Sequence, residues 1–190
     1  SLPLLPSFNV DELKAIWEEA HKFGLHVAAH CSCSQGIANA LDAGVDTIIH
    51  AYFRDPDGSN VFKPELADRI ASKGVFVNAT LAGRHLEIEQ FELKMEAEGL
   101  TDAEIVELDE NREMKEIRLE HFAKMREMGV VMVAGSDSAW RKYRMGAFQH
   151  EVGAHVMGGM SPMDAITAST FDSARSCRIE DKVGSIEPGK

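Results

Sequence analysis

The sequence predicts an α/β protein built as a parallel (β/α) half-barrel. Three observations lead there. Four short segments repeat one device, "GLHVAAH" (24–30), "GVDTIIH" (44–50), "GVFVNAT" (74–80) and "GVVMVAG" (129–135). Each has a glycine, then a mostly apolar run, then a polar or glycine exit. Near-continuous apolar runs of that length suit strands buried on both faces, which means a parallel sheet. A helical pattern leads into each glycine. The chain has 190 residues, whereas a whole (β/α)8 barrel typically needs about 250. The alternative architecture is a small open doubly wound sheet. It lacks a G-x-G-x-x-G at any strand end, so its dinucleotide-binding version has no support.

The elements follow in order. "NVDELKAIWEEAHKFG" predicts a helix with Asn9 as N-cap, Glu12 at the third helical position and Gly24 as the stop. Its residues Leu13, Ile16, Trp17 and Ala20 fall at spacings of three and four, which predicts one buried face. "SQGIANALDAG" predicts a second helix stopped by Gly44, and "KPELADRIASKG" a third that opens on Pro64 and stops at Gly74. The stretch 85–128 holds two helical patterns broken near "EGLTDAE", with Thr101 as N-cap and Glu104 as its capping-box partner. It reads as a long crossover between the third and fourth strands. Residues 147–157 look helical, and "SPMDAITASTFDSA" starts a last helix with Ser161 as cap.

Composition excludes several functions. The net charge of -11 argues against nucleic acid and anionic membrane as partners. No apolar run approaches the ~18 residues of a membrane-spanning helix. The three cysteines, Cys31, Cys33 and Cys177, predict reduced thiols and a cytoplasmic setting. The Cys31-x-Cys33 spacing is not that of a C-x-x-C redox motif.

Reactive groups of parallel α/β folds gather at the C-terminal ends of strands. The repeat puts His30 and His50 at such ends on consecutive strands, and "AGSDSAW" puts Asp137 just past the fourth. Two imidazoles and a carboxylate can converge on a divalent cation. Loop residues Tyr52, Arg54, Arg84 and His85 are candidate substrate contacts. Arg54, Arg84 and Arg141 permit a carboxylate-bearing small molecule as substrate. His26 is read as a packed or hydrogen-bonded strand residue, and His21 and His121 as surface or second-layer. His150 and His155 are read as structural, and the acidic run 87–120 as a solvated helix face. No lysine stands at any of the four strand ends, which argues against a Schiff-base aldolase.

The ordered set "HVAAHC", "AGVDTIIHA", "GVFVNATL" and "VMVAGSDS", followed by "MSPMDAITASTFDSARSCRIEDKVGSIEPGK", resembles the C-terminal half of the amidohydrolase superfamily. The likeness is to its imidazolonepropionase-like and Xaa-Pro dipeptidase-like branch and covers nearly the whole chain. The resemblance implies strands five to eight of a TIM-like amidohydrolase barrel, with residues 1–190 forming one partial domain cut at both ends. It implies one or two divalent metals, usually zinc, in the complete protein. Carried over by position, His30 and His50 would be metal ligands, and Asp137 both a ligand and the catalytic proton-transfer residue. The implied reaction is hydrolysis of an amide, cyclic amide or dipeptide C–N bond by metal-activated water. A deaminase of the same superfamily is the alternative.

Two of the family's ligand features are missing. The chain has no His-x-His pair, and no lysine at a position to bridge two metals, since Lys14 and Lys22 lie in the first helix. These departures predict weak or absent catalysis by this chain alone, and possession of a metal becomes a question for this fragment. They motivate a second reading, a catalytically silent half-barrel that acts as an assembly module. A half-barrel leaves two strand edges unpaired, which predicts a homo-oligomer.

Overall fold

A computed structural model describes residues 5–138 and 143–190. Arg141 lies outside the described residues. Helix α1 (Val10–Lys22) precedes strand β1 (Ala28–His30), α2 (Ser34–Ala43) precedes β2 (Thr47–Ile49), and α3 (Pro64–Ser72) precedes β3 (Phe76–Asn78). The long crossover is an α-hairpin, α4 (Ala82–Glu98) and α5 (Asp102–Glu127), and it delivers the chain to β4 (Met132–Val133). Helices α6 (Gln149–Met157), α7 (Pro162–Thr167) and α8 (Ser173–Ser176) follow, with a π-helical turn over Ala168–Asp172 between the last two. The four strands pair in parallel in the order β1-β2-β3-β4. This is the half-barrel topology that the repeat predicts, and it leaves β1 and β4 as the outer strands.

The local chemistry explains the boundaries. Asn9 accepts from the N–H of Glu12 while the Glu12 carboxylate accepts from the N–H of Asn9 (2.8 Å), so two orphan donors of α1 are satisfied at once. Thr101 and Glu104 repeat the arrangement at the start of α5. Gly44 takes φ +94° where α2 stops, and Trp17 of α1 lies 3.4 Å from where a Cβ would sit. That backbone turn suits glycine alone.

The core lies between the sheet and α2, α3, α5 and α7. Ile37, Leu41, Ile48, Phe53, Ile70, Val77 and Phe122 are wholly or almost wholly buried there. Two expectations fail at the β1 side. None of the residues of α1 is buried, and Ile16 is 48% exposed. Strand β1 carries an exposed–intermediate–exposed pattern instead of double burial. The physical reason is cover. Helix α1 packs chiefly against α2, whereas β4, also an outer strand, lies under the π turn and is buried. Strand β2 is covered as expected, and β3 buries its central Val77.

Two further expectations are corrected. His121 is buried, its ring 5.4 Å from Phe53 and 5.6 Å from Phe62, because α5 lies across the sheet with that turn inward. Glu87 and Arg118, within the stretch read as solvated, are also buried. The last helix is broken by the π turn. There the Ser173 hydroxyl donates to the carbonyl of Ala168 (2.7 Å) and accepts from the N–H of Ala134 (3.2 Å), which ties the tail to the end of β4. No helix among the described residues is long and apolar enough to cross a membrane.

Candidate metal and active site

The C-terminal ends of the strands open onto one cavity of about 420 Å³, lined among others by His30, His50, Tyr52, Arg84, Arg118 and Asp137. His30 closes β1, His50 follows β2, and Asp137 stands four residues past β4. The parallel register carries these ends to the same level, since His30 pairs with Ile49 and Ile49 with Asn78.

His50 Nε2 lies 3.1 Å from His30 Nδ1 and 4.0 Å from Asp137 Oδ2. The His50 ring is buried, while the Asp137 side chain is 54% exposed. Burial pulls the His50 pKa down to about 4, assisted by His30 and Arg118 and partly opposed by Asp137 and Glu151. A neutral imidazole is the form that ligates a metal.

Four residues at the strand ends hold left-handed backbone: His50 at φ 70°, Ala51 at φ 52°, Thr80 at φ 49° and Asp137 at φ 49°. Left-handed φ is uncommon for side-chain-bearing residues and a genuine outlier for a β-branched one such as Thr80. Such strain gathers at functional sites, where the surrounding structure enforces it.

The donor set can be weighed against a metal. Two imidazoles and a carboxylate suit zinc chemically. A tetrahedron with metal–nitrogen bonds of about 2.0–2.1 Å has edges of roughly 3.3–3.4 Å, close to the His30–His50 separation. Asp137 stands farther off. Among the described residues no group of three His, Cys, Asp or Glu side chains is arranged to hold a metal ion. The two histidine nitrogens are therefore spaced as a pair of ligands would be, and the Asp137 carboxylate is not drawn in with them.

The proposed substrate contacts divide. Tyr52 and Arg84 line the cavity. The Arg84 guanidinium donates to Asn111 Oδ1 and lies 3.9 Å from Glu87. Arg54 is elsewhere. It bridges Asn60 and lines a separate depression with Cys33 and Lys63, because the chain turns outward after Phe53. His85 points along α4 toward Glu89 (3.2 Å), one helical turn on, and does not line the cavity.

Three functional neighbours escaped sequence reasoning: Thr80, Arg118 and Glu151. Arg118 comes from α5 and lies 4.5 Å over the Tyr52 ring. Burial lowers its pKa, while Tyr52 and Glu151 oppose that shift. Glu151 comes from α6 and is fully buried. Neither sits in a motif. Weak signals existed for Thr80, the polar exit of the third repeat, and for Glu151, an acid among the apolar residues of a short helix.

The thiols of the Cys31-x-Cys33 pair are structural. Both are buried and free, and Cys33 caps α2 by accepting from the N–H of Gly36. Burial, with Cys33 adding to it, pushes the Cys31 thiol up to about 12.

Comparison with known proteins agrees with this fold. The pattern of the Amidohydrolase family matches residues 3–190. An ochratoxinase from Aspergillus niger is 28% identical over 174 residues, covering 92% of this chain and 32% of the relative. The crystal structure of a Xaa-Pro dipeptidase with bound methionine in the active site superposes with a TM-score of 0.75 at 28% identity, over 97% of this chain and 42% of that one. A putative prolidase from Bifidobacterium longum gives 0.74 at 25% identity, over 96% and 43%. The chain thus spans about a third of the curated relative it matches and well under half of those structures.

Proposed function

This chain belongs to the amidohydrolase family, and on that premise we propose that it is part of a metal-dependent hydrolase cleaving an amide-type C–N bond of a small molecule. The observation that carries the reading is the 3.1 Å approach of His30 Nδ1 to His50 Nε2 at the mouth, with Asp137 beside them. His30, His50 and Asp137 would hold the cation. A divalent cation there would polarise the scissile carbonyl and bring the pKa of a bound water toward about 7. The chain's own groups do the rest. His50 stays neutral and so keeps a lone pair available. Asp137, exposed to the cavity, takes the proton of the attacking water and returns it to the departing nitrogen. Arg84, at the cavity wall, offers a cation to a substrate that carries a carboxylate, as a dipeptide would. The names of the similar dipeptidase and prolidase support that substrate class.

The test is zinc binding by equilibrium dialysis, with hydrolysis of a panel of dipeptides and N-acyl amino acids. Retained zinc that is lost in His30→Ala supports the reading. Wild-type protein that retains none under the same conditions removes it.

A second reading, a silent assembly module, is favoured by one observation. The outer side of α1 and the approach to β1 expose Ile16, Phe23 and Leu25 together, next to an outer strand. Self-association through that side would cover them. Turnover abolished by Asp137→Asn excludes a silent role.

A further inference from the structure

The turn after β3, residues 79–82, is gripped from two sides by buried groups of opposite charge. From α5, Arg118 donates to the carbonyl of Ala79 and to that of Thr80 (3.1 Å). From α6, Glu151 accepts from the N–H of Leu81 and from that of Ala82, both at 2.8 Å. Two consecutive carbonyls thus meet a guanidinium fork, and the two N–H groups that follow meet a carboxylate. The second pair belongs to the start of α4, which has no side-chain cap of its own. A carboxylate is the right charge for a helix N-terminus.

The residue at the centre of this grip is Thr80, held at φ 49°. Its hydroxyl oxygen lies 2.8 Å from the carbonyl of Ala79 and 2.6 Å from Nδ1 of His50. A carbonyl only accepts, and a hydroxyl that gives its one proton to Ala79 accepts from an Nδ1–H of His50. That arrangement leaves the lone pair of His50 on Nε2, 3.1 Å from His30 Nδ1.

We propose that Arg118 and Glu151 are positioning residues: together they lock the strained turn at Thr80, whose hydroxyl fixes His50 in the Nδ1–H tautomer with Nε2 free toward the mouth. Neither touches the cation or the substrate in this role. A buried guanidinium and a buried carboxylate are tolerated only when paired, and here the partners are main-chain groups of a single turn. The network places the polarity of the site in the barrel wall. The consequence for metal binding rests on the ligand reading above; the tautomer itself does not.

The first readout is the tautomer of His50 in metal-free protein at neutral pH, from long-range proton–nitrogen correlation spectra. The Nδ1–H form is expected in the wild type and in Thr80→Ser, which keeps the hydroxyl. Thr80→Val keeps the shape and removes the acceptor, and is expected to give a mixture of tautomers. Arg118→Lys keeps the charge without the fork, and Glu151→Gln offers one acceptor where two are needed. Both are expected to move His50 the same way in a protein whose other amide signals are native. The second readout is zinc affinity, expected to fall about 10–100-fold in Thr80→Val and to recover in Thr80→Ser. A wild-type His50 protonated on Nε2 overturns the proposal, and needs no variant to fold. A Thr80→Val protein that retains the Nδ1–H form also overturns it. The stated tautomers in a protein that binds no zinc support the positioning and remove the ligand reading alone.

Discussion

Nδ1 of His26 stands 2.7 Å from the carbonyl oxygen of Ser176, across 150 residues of chain. The contact joins the segment entering β1 to the end of α8, at the other end of the strands from the cavity. Asp46 supports the same corner. Its Oδ2 accepts from the N–H of Val27 and lies 2.8 Å from His21 Nε2. The tail of the protein is thereby fastened to its beginning.

His26→Ala removes that fastening. The expected loss is about 1 kcal/mol of stability, the ordinary worth of one such hydrogen bond. The more telling readout is local. Amide hydrogen exchange should accelerate in 173–183 and stay unchanged in β2 and β3. Uniform acceleration across the sheet would contradict the assignment.

Gly135→Ala tests the close approach of β3 to the segment after β4. A Cβ on Gly135 would overlap the side-chain amide of Asn78. The expected destabilisation is about 1–3 kcal/mol, the usual cost of overpacking. Asn78→Ala in the same chain should restore most of it, measured by denaturant midpoint. A double variant no more stable than Gly135→Ala alone would place the strain elsewhere.

Stability should fall as pH drops from about 6.5 to about 4. The folded His50 pKa is near 4 and that of His121 is also lowered by burial, whereas unfolded histidine titrates near about 6.5. Between those values the unfolded chain binds more protons than the folded one, so stability rises with pH there. The contribution is complete above about 6.5. Urea midpoints at pH 5 and pH 7, with chelator present, measure it. Equal midpoints would contradict the burial of neutral imidazoles.

Thr101→Ala should cost about 0.5–2 kcal/mol through loss of the α5 cap. Its partner Glu104 is held down at about 2, chiefly by Lys94 at 2.5 Å and then by Thr101. A depressed carboxylate pKa contributes stability above the unfolded value, and that contribution is lost as pH falls toward 2. The penalty of Thr101→Ala should therefore persist at pH 4. Denaturation of both proteins at pH 4 and 7 checks this.

The sequence was most legible where one residue type has one use. Gly44 and Gly74 marked helix stops, and the Asn9–Glu12 and Thr101–Glu104 pairs marked helix starts. The glycine-to-histidine repeat placed His30 and His50 at one level because strand ends in a parallel register must align. Burial was legible only as far as neighbours could be guessed. β1 reads like β2, and their difference is what covers them: α1 packs chiefly on α2 and leaves β1 partly bare. Arg118 and Glu151 were illegible for another reason. A charged residue on a helix reads as solvated, and only the tertiary placement of α5 and α6 aims these two at a turn far off in sequence. Arg54 and His85 were misplaced because a loop's origin at the active end does not say which way it turns.

In this sheet the order of strands in space is their order in the chain. Each helix–strand unit of this sheet lies beside the one made just before it, so no later strand must be threaded between earlier ones. Assembly of these four units can run in the direction of synthesis. The contacts of Ser176 with His26 and of Arg178 with Gly24 are of another kind. They join segments about 150 residues apart, so they close only after the helices beyond β4 are in place.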